Sequence, residues 1–251
     1  MPIMRILITN DDGYRAEGLL ALHEALRDLV ECVVVAPHSD RSASSHALTV
    51  RQALAVHRHS DECISVEGTP VDCVHLACGG LLEHPPDMVV SGINSGMNMG
   101  DDVLYSGTVA AACEGRFQSL PAIAFSLARF NPAQYATAAS VARRMIEQVI
   151  DGRFSGATFL NVNIPDVPAH ELKGIQSTRL GRRHRSGDAA PDRDKGNAFY
   201  WLGPPGRIAD DSPGTDFHAV ANGYVSVTPL QSDMTNHSAV ASVANWVDGI
   251  A

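Results

Sequence analysis

"RILITNDDGYRAEGLLALHEALRDLVECVVVAP", Arg5 to Pro37, is the stretch on which the fold turns. Residues 4–9 (MRILIT) form an apolar run of strand length, and residues 32–36 (CVVVA) form another. Between them Leu19, Leu20, Leu22, His23, Leu26 and Leu29 recur at helical spacing, just after Glu17 and Gly18. Two strands joined through a helix make a βαβ unit, with parallel strands and a right-handed crossover.

The same alternation continues. Thr69-Pro70 opens a helix, with Thr as N-cap and Pro at the first helical position, followed by VDCVHLACGGLL. DMVVSGIN (87–94) reads as a strand and its exit loop, and SGTVAAACEGRF (106–117) as a helix that opens on small residues. PAIAFSLA (121–128) is a strand, 133–150 a long helix and TFLNVNIP (158–165) a further strand. After Pro165 the texture changes: 179–195 is charged and turn-rich, 197–203 and 223–230 look like extended arms, and 236–250 closes the chain as a helix. The expectation is an α/β protein, a Rossmann-like, mostly parallel sheet flanked by helices. Residues 1–178 would form the core, and 179–251 a β-arm and closing helix that serve oligomerisation.

The bulk composition narrows the function. Of 251 residues, 19 are basic and 28 acidic, a net charge of −9, so a broad basic face for nucleic acid is not expected. Five cysteines without a CxxC pair fit a reducing, cytoplasmic setting. No apolar run approaches the ~18 residues of a membrane span, and the N-terminus enters a strand pattern without signal-peptide organisation. The eleven histidines include no HExxH. The P-loop, the GxGxxG cradle, the GxSxG elbow and the DxDx[TV] phosphatase pattern are all missing.

In a sheet of this kind the ligand crevice lies outside the carboxyl ends of the strands. Three polar loops follow such ends: Asp11-Asp12-Gly13, SDRSASS (39–45) and SGINSGMNMGDD (91–102). Adjacent carboxylates raise each other's pKa unless positive charge sits between them. Two readings are open: a solvated turn built on Gly13, or a hard divalent cation held by Asp11 and Asp12 with the neutral oxygens of Ser42, Asn94 and Asn98. Ser42 also reads as a cap, and the two asparagines as turn residues beside Gly92, Gly96 and Gly100. Asp101-Asp102 is either a rival metal pair or an anchor for a neighbouring loop. Ser106, Gly107 and Thr108 open a helix, which serves equally as an ordinary cap or as an anion site at the positive end of the dipole.

Taken together, ILITNDDGYRAEGLLAL, VVVAPHSDRSASSHALT, EGTPVDCVHLA, PDMVVSGINSGMNMGDDVLYSGTVAAACEG and GTDFHAVANGYVSVTPLQSDMT resemble the SurE family, the stationary-phase survival proteins. The resemblance spans essentially the whole chain. It implies a metal-dependent phosphomonoesterase acting on nucleoside 5′-monophosphates, on 3′-monophosphates and on short polyphosphate. It places one Mg²⁺ or Mn²⁺ per subunit on Asp11, Asp12, Ser42 and Asn94. Phosphate falls on Asn98, Ser106, Gly107 and Thr108, and a homodimer or homotetramer forms through 180–251. Where the family usually has Gly after the ligand serine, this chain has Ala43, which is strained if that position needs positive φ. Glu17 stands for a common Pro and Cys113 for a common Met. Asp194-Lys195-Gly196 departs from the usual arm motif.

Water attack on phosphorus, with Asp11 or Asp12 taking the proton, is the mechanism expected of such a site; an aspartyl-phosphate is the competing route. A non-catalytic sensor of a metal–nucleotide complex would use the same rim. A metal-free acyl hydrolase would need His38 or His46 to activate Ser42 or Ser106.

Overall fold

The computed structural model describes residues 4–153, 159–192 and 199–250. The opening unit is β1 (Arg5–Thr9), α1 (Glu17–Leu26) and β2 (Glu31–Pro37), with β1 and β2 parallel. A hairpin of β3 (Val56–Ser60) and β4 (Cys63–Val66) extends the sheet beyond β2. The chain then crosses back through α2 (Pro70–Leu76) to β5 (Met88–Ser95), which pairs with β1 on its other side. From there α3 (Gly107–Phe117), β6 (Ala122–Leu127), α4 (Tyr135–Ile150) and β7 (Phe159–Ile164) continue the parallel winding.

The next strands are β8 (Ile175–Ser177), β9 (Arg182–Arg183), β10 (Ala190–Pro191), β11 (Tyr200–Trp201) and β12 (Ile208–Asp210). The chain ends with α5 (Asp216–Ala221), β13 (Val225–Leu230) and α6 (Val240–Asp248). The nine-stranded sheet runs β3-β4-β2-β1-β5-β6-β7-β13-β8, while β10 with β11 and β12 with β9 form two short ribbons. The strand order reverses between β1 and β5, so the loops after these two strands open onto the ligand crevice.

Alternation along β1 sends Ile6 and Ile8 to one side and Leu7 to the other. The first side packs on Leu19, Leu22 and Leu26 of α1 and Val141 and Ile146 of α4. The second packs on Val74 of α2 and Val109, Ala111 and Ala112 of α3. Burial on both faces explains why the parallel strands are apolar without alternation. Small residues let α3 lie close on the sheet, which draws its first turn up to the end of β1.

Several expectations are refined. Thr69 caps α2 as read, and Asp72 completes a capping box, its Oδ2 accepting from the Thr69 amide at 2.9 Å. The helix ends at Leu76, however, and Ala77–Leu81 form a wider turn broken at Gly80. The strand read from Thr158 begins at Phe159; Thr158 and Asp194-Lys195-Gly196 lie outside the described residues. The segment 223–230 is corrected: it is not an arm, because β13 sits inside the main sheet antiparallel to β7. Its buried Ser226 and Thr228 hide that from a hydrophobicity reading, since both hydroxyls bond Thr178 at 2.7 Å. The terminal helix is present, but α6 lies exposed along its length and covers no part of the core. No helix among the described residues is long and apolar enough to cross a membrane, and all five cysteines are free.

Candidate active site

β1 ends in Asn10, whose amide Nδ2 donates to the Gly13 carbonyl at 2.9 Å and folds the Asp-Asp-Gly turn beneath the crevice. Asp11 is only 4% exposed. Its Oδ1 accepts a short hydrogen bond from Thr108 Oγ1, and its backbone carbonyl accepts from the Arg41 amide at 2.7 Å. Burial, opposed by the Thr108 bond and reinforced by the Asp12 charge, raises the Asp11 carboxyl from 3.8 to about 6. Asp12 accepts from the Ser95 amide at 3.1 Å, and burial raises it too. Among the described residues neither carboxylate has a basic partner.

Gly107 makes the juxtaposition possible. A Cβ there would stand 2.8 Å from Asp11 Cβ and 2.8 Å from Ser44 Oγ. The first turn of α3, whose leading N–H groups lack intrahelical partners, therefore abuts the Asp11 carboxylate. Ser106 Oγ caps that turn by accepting from the Val109 amide at 3.1 Å.

The loop after β2 lies over the same corner. Ser42 is exposed, and its amide and Oγ both donate to Asp40 Oδ1, at 2.7 and 2.6 Å. Ala43 has φ +58°, so the left-handed backbone expected of a glycine is borne by an alanine. Ser45 ties the loop to the entry of α3, its Oγ donating to the Leu104 carbonyl at 2.7 Å and its amide to the Tyr105 carbonyl at 3.1 Å. Between them Ser44 Oγ is buried without a hydrogen-bond partner, beside Gly107. The serine-rich motif contained Ser44, but its spacing did not distinguish it from Ser42.

After β5, Asn94 Nδ2 donates to the Gly96 carbonyl at 2.9 Å, which leaves Oδ1 as its other polar atom. Asn98 is held on every side: Nδ2 donates to Ser126 Oγ at 2.8 Å and its amide to Asn163 Oδ1 at 2.9 Å. Its carbonyl accepts from Asn161 and Asn163, at 2.7 and 2.9 Å. Just beyond, Gly100 and Gly181 donate their amides to the two oxygens of buried Asp216, at 2.7 and 2.8 Å. The Phe217 ring fills the space where either glycine would carry a Cβ, which would fall 2.6 and 2.5 Å from it. Sequence reasoning missed Asn161, Asn163 and this clamp. Asp101 and Asp102 prove to be anchors: Asp101 accepts from the Arg183 amide at 2.7 Å, and Asp102 pairs with the Arg183 guanidinium at 2.8 Å.

Asp11, Ser42, Asn94, Asn98 and Ser106 line one cleft of about 530 Å³. Asp12, Gly107 and Thr108 are not part of its wall; Thr108 is fully buried and its hydroxyl is committed to Asp11. Cavities of about 830 and 690 Å³ lie elsewhere, but neither contains a pair of adjacent carboxylates. His38 bonds Ser65 at 3.0 Å and His46 bonds Glu114 at 3.2 Å, so neither meets Ser42 or Ser106.

The donor set suits a hard divalent cation. Among the described residues the two crowded carboxylates, both pushed up in pKa, have no basic partner, the remaining candidates are oxygens, and the buried Ser44 hydroxyl has no hydrogen-bond partner. An oxygen-lined corner and a helix N-terminus at the switch point of a parallel sheet together define a Rossmann-like α/β protein with a cleft suited to an anionic ligand.

The chain belongs to the SurE family. The family model described as Survival protein SurE matches residues 6–187. A relative from Alkalilimnicola ehrlichii named 5′-nucleotidase SurE is 56% identical, over 99% of this chain and 97% of its own. Another of that name from Halorhodospira halophila is 53% identical, over 98% of this chain and 99% of its own. The crystal structure of the SurE protein from Aquifex aeolicus superposes with a TM-score of 0.86 at 40% identity, covering 96% of this chain and 99% of that one.

Proposed function

We propose that this chain is a 5′-nucleotidase, a divalent-cation-dependent phosphomonoesterase that hydrolyses nucleoside 5′-monophosphates, 3′-monophosphates and short polyphosphate by direct attack of water. The observation that carries the reading is the buried Asp11 carboxylate lying against the first turn of α3, with Asp12 beside it and, among the described residues, no basic side chain paired with either. Nucleotidases of the same name, more than half identical along nearly their full length, support it.

In this reading Asp11 and Asp12, with Ser42 and Asn94, hold one Mg²⁺ or Mn²⁺ per subunit. When bound, the cation supplies positive charge for phosphate oxygens and makes water more acidic. Asn98 and Ser106, which line the cleft, hold the phosphoryl oxygens, and the first-turn amides of Gly107 and Thr108 behind them supply the positive end of the α3 dipole that stabilises the charge building there. Thr108 fixes the Asp11 carboxylate by donating to Oδ1, and Asp11 Oδ2, next to Gly107, accepts the proton of the attacking water; as the phosphorus–oxygen bond to the ribose breaks, the departing oxygen takes up a proton and leaves as the nucleoside hydroxyl. The Asn161–Asn163 brace keeps the Asn98 loop from shifting as charge develops.

Residues 1–178 carry the chemistry and 179–251 the self-association, apart from β13, which returns to the sheet. Val240, Val243, Trp246 and Val247 of α6 and Tyr200, Trp201 and Leu202 of the arm are exposed apolar side chains, which favours a homodimer or homotetramer. Five free thiols agree with a cytoplasmic site of action.

The deciding experiment is phosphate release from AMP by the purified chain in Mn²⁺ or Mg²⁺, with and without EDTA. Turnover abolished by EDTA is the expected result. AMP binding without turnover would replace the enzyme by a sensor, and turnover that survives EDTA would remove the cation from the site.

A further inference from the structure

The cleft is lined by two kinds of surface. Asp11, Ser42, Asn94, Asn98 and Ser106 supply oxygens and amides, while Met97, Tyr105, Phe130, Pro205 and Ile208 supply apolar and aromatic surface. At about 530 Å³ it falls within the range of roughly 300–1,000 Å³ typical of pockets that enclose a whole small ligand, so a phosphate alone leaves most of it unfilled. Arg183 and Asp102 also line it, but they neutralise each other at 2.8 Å, and Arg183 donates further to the Gly206 carbonyl at 3.1 Å. Beside its oxygens the cleft therefore offers flat and aliphatic surface in place of free charge.

Two exposed aromatic residues border the cleft, Phe130 at 73% and Tyr105 at 66%, and Tyr105 adjoins Ser106 in the chain. The Phe130 ring lies against Gly96, 3.3 Å from where a Cβ would stand, and Gly96 is two residues beyond Asn94. The loop that carries Phe130, between β6 and α4, turns immediately afterwards at Asn131, whose φ is +52°.

We propose that Phe130 is the stacking platform for the substrate's nucleobase, which makes the apolar part of the cleft a nucleoside subsite; this rests on the nucleotidase reading above. A base is flat, neutral and polarisable, and it stacks on an aromatic ring whatever its hydrogen-bonding edge. The ribose then bridges from the phosphate at the head of α3 to the ring, with Pro205 and Ile208 of the arm forming the facing wall.

The test compares AMP with ribose 5-phosphate, which keeps the phosphate and sugar and lacks the base. Steady-state kinetics in Mn²⁺ are measured for the full-length wild type, Phe130→Ala and Phe130→Trp; the exposed position leaves folding intact. In Phe130→Ala the ratio of kcat/KM for AMP to that for ribose 5-phosphate should fall about tenfold, mainly through KM for AMP. Phe130→Trp should restore it. A ratio that moves less than twofold in Phe130→Ala, or a Phe130→Trp as poor as Phe130→Ala, would overturn the stacking role. Failure of the nucleotidase reading itself shows separately, in a wild type that hydrolyses neither substrate.

Discussion

Replacing Asp11 by Asn should destroy activity and yet stabilise the cation-free protein. Asp11 is almost wholly buried, and burial is the main cause of the rise of its carboxyl from 3.8 to about 6. Because the folded state holds this proton more tightly than the unfolded chain, ionising Asp11 costs stability. The cost is absent below pH 3.8, grows as pH rises and is complete above about 6. That gap converts to roughly 3 kcal/mol at pH 8. Asn keeps the shape and an acceptor for Thr108 but forfeits the charge-assisted part of that bond, about 1 kcal/mol, which leaves a net gain of about 2 kcal/mol. For a chain of this length the Tm should rise by about 4–8 °C in EDTA at pH 8, and the advantage should shrink below about 1 kcal/mol at pH 5. Added Mn²⁺ should raise the Tm of the wild type and leave Asp11→Asn unmoved. Differential scanning calorimetry at the two pH values reads all of this. An Asp11→Asn protein less stable than wild type in EDTA at pH 8, or a difference that ignores pH, would refute the account of a buried, uncompensated charge.

Three further outcomes are expected. Thr108→Val removes the donor that fixes Asp11, so inhibition of AMP hydrolysis by inorganic phosphate should weaken on the order of threefold to tenfold, and an unchanged inhibition constant would leave the residue a packing element. Ala43→Gly relieves left-handed backbone strain of about 1–2 kcal/mol against an entropic cost of about 0.5–1 kcal/mol, so thermal unfolding should move up by roughly 2 °C; a decrease would contradict it. Glu114, held down to about 2 by hydrogen bonds from His46, His75 and Gln118 against its burial, stabilises the fold above pH 4.5 and loses that contribution as pH falls towards 2. Glu114→Gln should therefore lower the Tm at neutral pH and flatten its acid limb, which a pH series of melting curves will reveal.

How far the sequence reached depended on the range of the interactions involved. The opening βαβ unit was legible because periodicity is local: Ile6, Leu7 and Ile8 are buried by whatever packs on each face, and any parallel sheet demands that. The Asp11-Asp12 corner was legible because two adjacent charges at a strand end are anomalous on their own. β13 was hidden because its inward hydroxyls are satisfied by Thr178, about fifty residues earlier in the chain. The β3–β4 hairpin was hidden because β3, exposed throughout, shows no apolar face at all. Ser44 and Thr108 differ from their neighbours only in what stands opposite them, and that is set by Gly107 and Asp11 meeting in space.

The Asp216–Phe217 clamp bears on the order in which this protein is built. Gly100 finds its partner carboxylate 116 positions later, whereas the helices and parallel strands that carry every expected ligand are complete by Ile164. A ribosome-bound chain ending there can collapse its sheet, but the loop that carries Asn98 still lacks its distant fastening. Closing so long a loop is an entropic cost met late, and synthesis proceeds from the N-terminus. The last fastening of the loop that carries Asn98 is therefore supplied by the final sixth of the chain.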